Sequence, residues 1–284
     1  MRRNAASGDI TYSPDDMLLF RESPFACWME RLTLENPDHG IAPDTVIQGD
    51  RHVFATGRQC VLSSTCGAQG MPWQEFITAS GAPPANAPAP RTRGEALHTR
   101  SADAMSIAVH ASEQQRANAT LNAMQQGAGC IANAQLTVGP LSAPVDLLLR
   151  VSGASDFGNY LYMPCDTQGH LRRQRAFRLA CAADLLSSLQ GVLPPQMLVL
   201  QEGEPVETLQ SADHIVLYRE VRKRFLKAQL AFRKHCMPDP TESSHFGRWT
   251  RCAQDILKHR AAAALAARGA AVVHALDRAV GKAP

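Results

Sequence analysis

Val145-Asp146-Leu147-Leu148-Leu149-Arg150-Val151 and, after a glycine-bearing turn, Tyr160-Leu161-Tyr162-Met163-Pro164-Cys165-Asp166-Thr167-Gln168 decide how the rest of this 284-residue chain is read. Successive side chains of a strand point to opposite faces. Asp146, Leu148 and Arg150 therefore share one face of the first segment. Val145, Leu147, Leu149 and Val151 share the other, which reads as core. Asp166 and Gln168 share a face of the second segment. If the two pair as a hairpin, Asp146 and Asp166 become neighbours.

The flanking segments extend this unit. Upstream, Gln114 to Gln126 carries Ala117, Leu121 and Met124 on one helical face and is closed by Gly127-Ala128-Gly129. Cys130 to Val138 alternates as a strand. Downstream, a basic connector with Arg172, Arg173 and Arg175 leads into a helix over Ala176 to Gln190. Gly191 and Pro194-Pro195 stop that helix. Gln196 to Leu200 reads as a short buried strand. Three strands, a helix and a strand predict an α/β core.

Outside this core the signals are mostly helical. Residues 1–11 read as a flexible arm. Ser13-Pro14-Asp15-Asp16 and Ser23-Pro24 each start a helix, the second running through Phe25, Trp28, Met29 and Leu32. Asn36 to Asp50 is turn-rich, Val53 to Ser64 reads as a helix and Met71 to Ala79 as a strand. The Pro/Ala-rich residues 80–94 read as an insertion loop. Asp213 starts a long helix to about Cys236, and Pro238-Asp239-Pro240 breaks it. Phe246 to Ala267 is helical, with Gly269 separating a last helix that ends near Val280. The domain boundaries are therefore placed at 12–240 for the α/β domain and 241–284 for a C-terminal helical extension.

Composition narrows the function classes. Apolar residues make up 45% of the chain, and the formal net charge is +3 with a pI near 8.5. Residues 169–235 hold 11 Lys and Arg against 6 Asp and Glu, a local +5 that suits a polyanionic partner and equally a solvated helix face. The eight cysteines include no C-x-x-C pair, which argues against zinc or iron–sulfur ligation. Met1-Arg2-Arg3 leads into polar residues, so the expectation is a cytoplasmic chain with reduced thiols and no signal peptide. No 18-residue apolar run suggests a membrane span. There is no G-x-S-x-G elbow and no H-x-x-x-H pair.

Two carboxylates at one point repel, so a native pair usually implies a bound cation. Magnesium needs only one or two carboxylates plus water and substrate phosphate, and such a site activates water against a phosphodiester. The other reading of the same spacing is two ordinary acids at strand ends.

An ordered set of segments resembles the N-terminal module of the RecB-like nucleases of the PD-(D/E)XK superfamily. It comprises Tyr12 to Asp16, Glu22 to Met29, Leu34-Glu35-Asn36-Pro37, Thr120 to Met124, and Val145 to Val151. Asp166-Thr167, Leu189-Gln190-Gly191 with Pro194, Pro238-Asp239-Pro240 and Gly247-Arg248-Trp249 complete it. No single motif is specific, but the set runs in order over residues 12–260. The resemblance implies a restriction-endonuclease-like core, with a mixed central sheet flanked by helices and helical N- and C-terminal additions. It implies Asp146 and Asp166 as metal ligands, and Mg2+ or Mn2+ as cofactor if the site is active. DNA, including single-stranded DNA, or another nucleic acid is the implied partner, alongside a separate helicase or nuclease.

The sequence departs from the family at its centre. Gln168 stands where the family has the lysine that offsets transition-state charge, and losing one such donor typically costs about 10²–10³ in rate. Arg178 and Ala182 replace a helical Gln and Tyr. The region around Gly57-Arg58-Gln59-Cys60 lacks the family's early glutamate. The candidate catalytic set is Asp146, Asp166, Gln168 and Arg178. Arg172, Arg173, Arg175, Arg222, Lys223 and Arg224 are the candidate nucleic-acid contacts. Arg178, or Arg172, Arg173 or Arg175 in the connector, could swing a positive charge toward Asp166 in the lysine's place. The functional expectation is nucleic-acid binding with weakened or lost cleavage, the alternative being a structural or protein-interaction module.

Overall fold

The computed structural model describes residues 1–3, 8–44, 104–167, 172–200 and 206–280, except for the side chains of 172, 173 and 272–280. The segments expected at 53–64, 71–79 and 80–94, and Gln168, lie outside the described residues. The described residues form two compact units. One comprises 1, 16–44 and 225–280, and the other 2–3, 8–15, 104–167, 172–200 and 206–224.

The second unit is α/β and contains a six-stranded mixed sheet flanked by helices. Its strands β3 (Ala104–Ser106), β4 (Cys130–Val138), β5 (Leu141–Ser155), β6 (Gly158–Asp166), β7 (Gln196–Val199) and β8 (Glu207–Gln210) lie in chain order. β3 is parallel to β4 and β6 to β7, while the other neighbours are antiparallel. Helix α3 (Glu113–Gln125) packs on β4, and α4 (Arg172–Gln190) packs across β4, β5, β6 and β7. β5 is longer at both ends than Val145 to Val151, and β8 was missed in the sequence altogether. In the arm expected over 1–11, β1 (Arg2–Arg3) pairs antiparallel with β2 (Ile10–Thr11).

The alternation in β5 sorts as the sequence predicts. Leu149, Leu161, Met163, Cys165 and Leu198 form one buried cluster, with Leu147 and Val151 packed against it. The opposite face carries Asp146, Arg150, Tyr160, Tyr162 and Asp166. Tyr160 Oη donates to the Met124 and Gln125 carbonyls at 3.0 and 3.2 Å, and Tyr162 Oη donates to the Ala128 carbonyl at 2.7 Å. Arg150 donates to the Gly127 carbonyl. These side chains donate to carbonyls at and just beyond the C-terminus of α3, where positive charge is also favoured. The N-terminus of α3 has a capping box between Ser112 and Gln115.

Two buried polar side chains repair strand edges. β7 pairs with β6 only at Cys165 and Asp166, so the β6 backbone at Tyr162 needs another partner. Gln190 supplies it. Its Oε1 accepts from Tyr162 N–H at 2.8 Å, and its Nε2 donates to the carbonyls of Tyr162 and Val192 at 3.3 and 3.1 Å. Gly191 then ends α4 at φ 75°, and a Cβ there would run into the Asp156 carboxylate. β3 likewise stops opposite Ala132, and Thr120 Oγ1 accepts the Gln135 N–H at 3.0 Å.

Helix α1 (Pro14–Glu22) starts at the predicted proline, and α2 (Pro24–Glu35) is capped by Ser23, whose Oγ accepts from Ala26 N–H at 3.1 Å. In the first unit, Phe25, Met29 and Leu32 of α2 are buried. Trp249 is buried with its indole N–H on Glu30 Oε1 at 2.9 Å, and Arg248 Nε donates to the same oxygen at 2.7 Å. Helix α5 (Ser211–Leu230) ends six residues before the predicted Cys236. There Trp28 Nε1 donates to the Arg233 carbonyl at 3.3 Å and packs on the Phe232 ring, contacts that hold the chain out of a continued helix. Helix α6 (Thr250–Val280) passes through Gly269 without the predicted break. A single helical glycine costs only about 1 kcal/mol relative to alanine, which the alanine-rich surroundings outweigh.

Candidate functional site

The sheet register brings the two predicted acids together. Leu147 lies opposite Cys165, so one further step sets Asp146 opposite Asp166. Asp166 lies opposite Val199, and Val199 opposite Glu207. Directly opposed residues share a face, so Asp146, Asp166, Val199 and Glu207 form one row across β5, β6, β7 and β8. Asp146 and the end of β6 are also joined directly. Thr167 donates to Asp146 Oδ2 from its N–H at 2.9 Å and from its hydroxyl at 3.2 Å.

Arg175, in the first turns of α4, reaches this row. Its Nε lies 3.7 Å from Asp166 Oδ2, and its Nη1 lies 4.0 Å from Glu207 Oε2. Arg175 and Asp166 are each only 6% exposed. Arg175 was expected among the surface nucleic-acid contacts. Its burial beside Asp166 removes it from that set and makes it a positive charge that comes to Asp166 and Glu207. Arg178, another candidate for that role, pairs instead with Asp15. Ala182 is buried in the packing of α4.

The remaining basic candidates separate by their surroundings. Arg222 pairs with the buried Asp184, together with Arg219 Nε at 2.8 Å from Asp184 Oδ1. Lys223 and Arg224 are exposed on the same helix. The side chains of Arg172 and Arg173, like Gln168, are outside what the structure describes.

The described residues do not fit a resident divalent cation. Such an ion needs open carboxylate oxygens. Here Asp166 faces a guanidinium, and one oxygen of Asp146 already accepts two hydrogen bonds from Thr167. No group of three or more His, Cys, Asp or Glu is placed to hold a metal among the described residues. On the other face, burial, then the neighbouring Cys130, Asp146 and Asp166, hold the Cys165 thiol well above its ordinary titration range. It stays a neutral core residue.

Glu207 is the residue of this row that sequence reasoning does not find. Glu207-Thr208-Leu209-Gln210 is a four-residue strand without a long alternating pattern, and its place in the row follows only from the β7–β8 register. No helix among the described residues is long and apolar enough to cross a membrane. No protein-family model matches the chain, and no curated protein matches it.

Proposed function

We propose that this chain is a nuclease-fold module of the RecB-like type that binds nucleic acid, with metal-dependent phosphodiester cleavage weakened or lost. The observation that carries this reading is that Asp146 and Asp166 share a face just past the Leu147–Cys165 pair of β5 and β6, with Arg175 on Asp166. The pair occupies the positions where the resemblance implies metal ligands. The order α3–β4–β5–β6–α4–β7 supports the restriction-endonuclease-like core that the resemblance implies. The charge that reaches the acids is a fixed guanidinium, which stabilises anions but never serves as a base.

Nucleic-acid binding is assigned to the basic stretch of α5, where Lys223 and Arg224 are exposed and Arg219 and Arg222 stand over Asp184. Phosphate contacts release counterions, so binding to a single strand falls with salt at a slope of about −0.7 per neutralised phosphate. Three or four contacts give a log–log slope of about −2 to −3. The test is fluorescence anisotropy of a labelled single-stranded oligonucleotide at several salt concentrations. Wild type is predicted to show that slope, and the paired variant Lys223→Glu with Arg224→Glu to lose most of it. Absence of binding at low salt would refute the nucleic-acid role.

One observation favours a second reading. Asp184 is buried and takes both Arg219 and Arg222, so part of the basic stretch is used internally. On that reading the chain is a structural or protein-interaction module, and the oligonucleotide does not bind. A Mg2+ or Mn2+ ion belongs only to a cleaving form of the site. A separate helicase or nuclease partner remains part of the proposal that the resemblance brings.

A further inference from the structure

We propose that Asp184 is a positioning residue, which holds Arg219 and Arg222 as a preformed grip for one backbone phosphate of a bound single strand. The inference deepens the nucleic-acid reading of α5 and rests on it. Its test turns on what happens when a negative charge is removed, so its failure and the failure of that reading are separate results.

Asp184 lies on α4 and is only 3% exposed. Each of its carboxylate oxygens takes one guanidinium. Oδ1 accepts from Arg219 Nε at 2.8 Å, and Oδ2 accepts from Arg222 Nη1. Arg219 and Arg222 stand three residues apart on α5, a spacing that makes them neighbours on the helix surface. One arginine suffices to neutralise a buried carboxylate. The second leaves the cluster with positive charge in excess. A guanidinium carries five N–H donors in a planar fork and keeps its proton in a folded protein. Among the described residues neither guanidinium has a second acceptor. The Arg219 side chain is 48% exposed and that of Arg222 35%, so both remain open to solvent. Such forks match the oxygens of a phosphate two at a time. A free arginine loses much side-chain freedom when it grips an anion, whereas these two are already held, which lowers the ordering cost of binding. Lys223 and Arg224 follow directly in the chain and are exposed, so further positive charge lies beside the grip. By charge counting alone Asp184 opposes a polyanion, and its removal tightens binding. The geometry gives the opposite sign.

The experiment is fluorescence anisotropy of a labelled single-stranded oligonucleotide with the whole chain over several salt concentrations. Wild type, Asp184→Asn, and Arg219→Lys combined with Arg222→Lys are compared. Asp184→Asn is predicted to bind about tenfold more weakly than wild type, although it carries one negative charge fewer. Its log–log salt slope is predicted to be shallower by about 0.7, the value of one lost phosphate contact. The lysine pair keeps the net charge but not the planar forks, and is also predicted to bind about tenfold more weakly. A merely structural Asp184 would lower the urea midpoint and leave the affinity and slope of the folded protein unmoved. Binding by Asp184→Asn that equals or exceeds that of wild type would overturn the proposal and leave the nucleic-acid reading standing. No binding by wild type at low salt would overturn both. If Asp184→Asn shows no cooperative urea transition, the lysine pair decides. Its weaker binding supports the grip, and affinity equal to wild type overturns it.

Discussion

Arg175 and Asp166 share a burial so deep that the pair is energetically asymmetric. Breaking such a pair by removing one partner typically costs about 3–5 kcal/mol, whereas replacing both by apolar groups is often neutral. This has a consequence for any attempt to restore activity. Gln168→Lys would return the charge that the motif lacks, but Asp166 would still face a guanidinium. The single substitution is predicted to leave the protein without Mn2+-dependent nicking of a plasmid. Gain of nicking from Gln168→Lys alone would show that Arg175 does not block the acids. Gln190 is the other residue whose role is sharply defined. Truncating it strands the N–H and C=O of Tyr162 inside the protein, and each unpaired buried group costs about 1–3 kcal/mol. Gln190→Ala is therefore predicted to lower stability by about 2–4 kcal/mol in urea unfolding, with no change in oligonucleotide affinity for the protein that remains folded. The buried thiols set a pH window. Burial pushes Cys130 up to about 11 and Cys181 up to about 12, from an ordinary thiol value of 9.0. The folded chain thus holds protons that the unfolded chain releases. This contribution is complete below pH 9 and is lost as the pH rises through 9 toward 11 and 12. The urea midpoint of wild type is predicted to fall more steeply between pH 8 and 10.5 than that of a Cys130→Ala, Cys181→Ala variant.

At the scale of elements, the sequence was most legible where period and punctuation agreed. Pro14, Ser23 and Gly191 mark helix ends that the structure places within a residue or two, and the alternation in Val145 to Val151 puts Leu147, Leu149 and Val151 on one face of β5 as expected. The misreadings share a cause, which is that tertiary contacts or context override a local signal. Helix α5 stops at Leu230 because Trp28 engages Arg233 and Phe232. Gly269 fails to interrupt α6 because one glycine is a small penalty in an alanine-rich helix. β8 is too short to announce itself. Several segments that carried the family resemblance also prove to have structural work. Thr120 and Gln190 repair strand edges, Ser23 caps α2, Trp249 fills a core, and Asp239 caps the 3-10 turn Pro240–Glu242 through Thr241 N–H at 2.9 Å. Such residues speak to fold more than to chemistry. The hairpin cap on α3 gives a direct check. Tyr162→Phe removes the hydroxyl that serves the Ala128 carbonyl and is predicted to cost about 1 kcal/mol in urea unfolding. An unchanged midpoint would show that this carbonyl finds another donor.

At the scale of the whole molecule, the acid pair was legible from strand period alone, but its electrical environment was not. Asp146 and Asp166 were placed on one face by counting, and the sheet register agrees. The sequence alone offers four arginines that could bring a positive charge to Asp166 and does not choose among them. The choice of Arg175 depends on the start of α4 and on Glu207 from a strand that the sequence hid. The exposed part of the basic stretch, Lys223 and Arg224, is narrower than the composition of residues 169–235 suggested, because Arg219 and Arg222 turn toward Asp184. The reading proposed above is of a nuclease-type frame in which Arg175 faces Asp166 and in which Lys223 and Arg224 would contact phosphate. Its central claim is the weakening or loss of cleavage. Nicking of single-stranded DNA with Mn2+ tests it most directly, comparing wild type with Asp146→Ala plus Asp166→Ala. The proposed reading predicts at most trace cleavage by wild type and none by the double variant. Efficient cleavage by wild type that disappears in the double variant would contradict it.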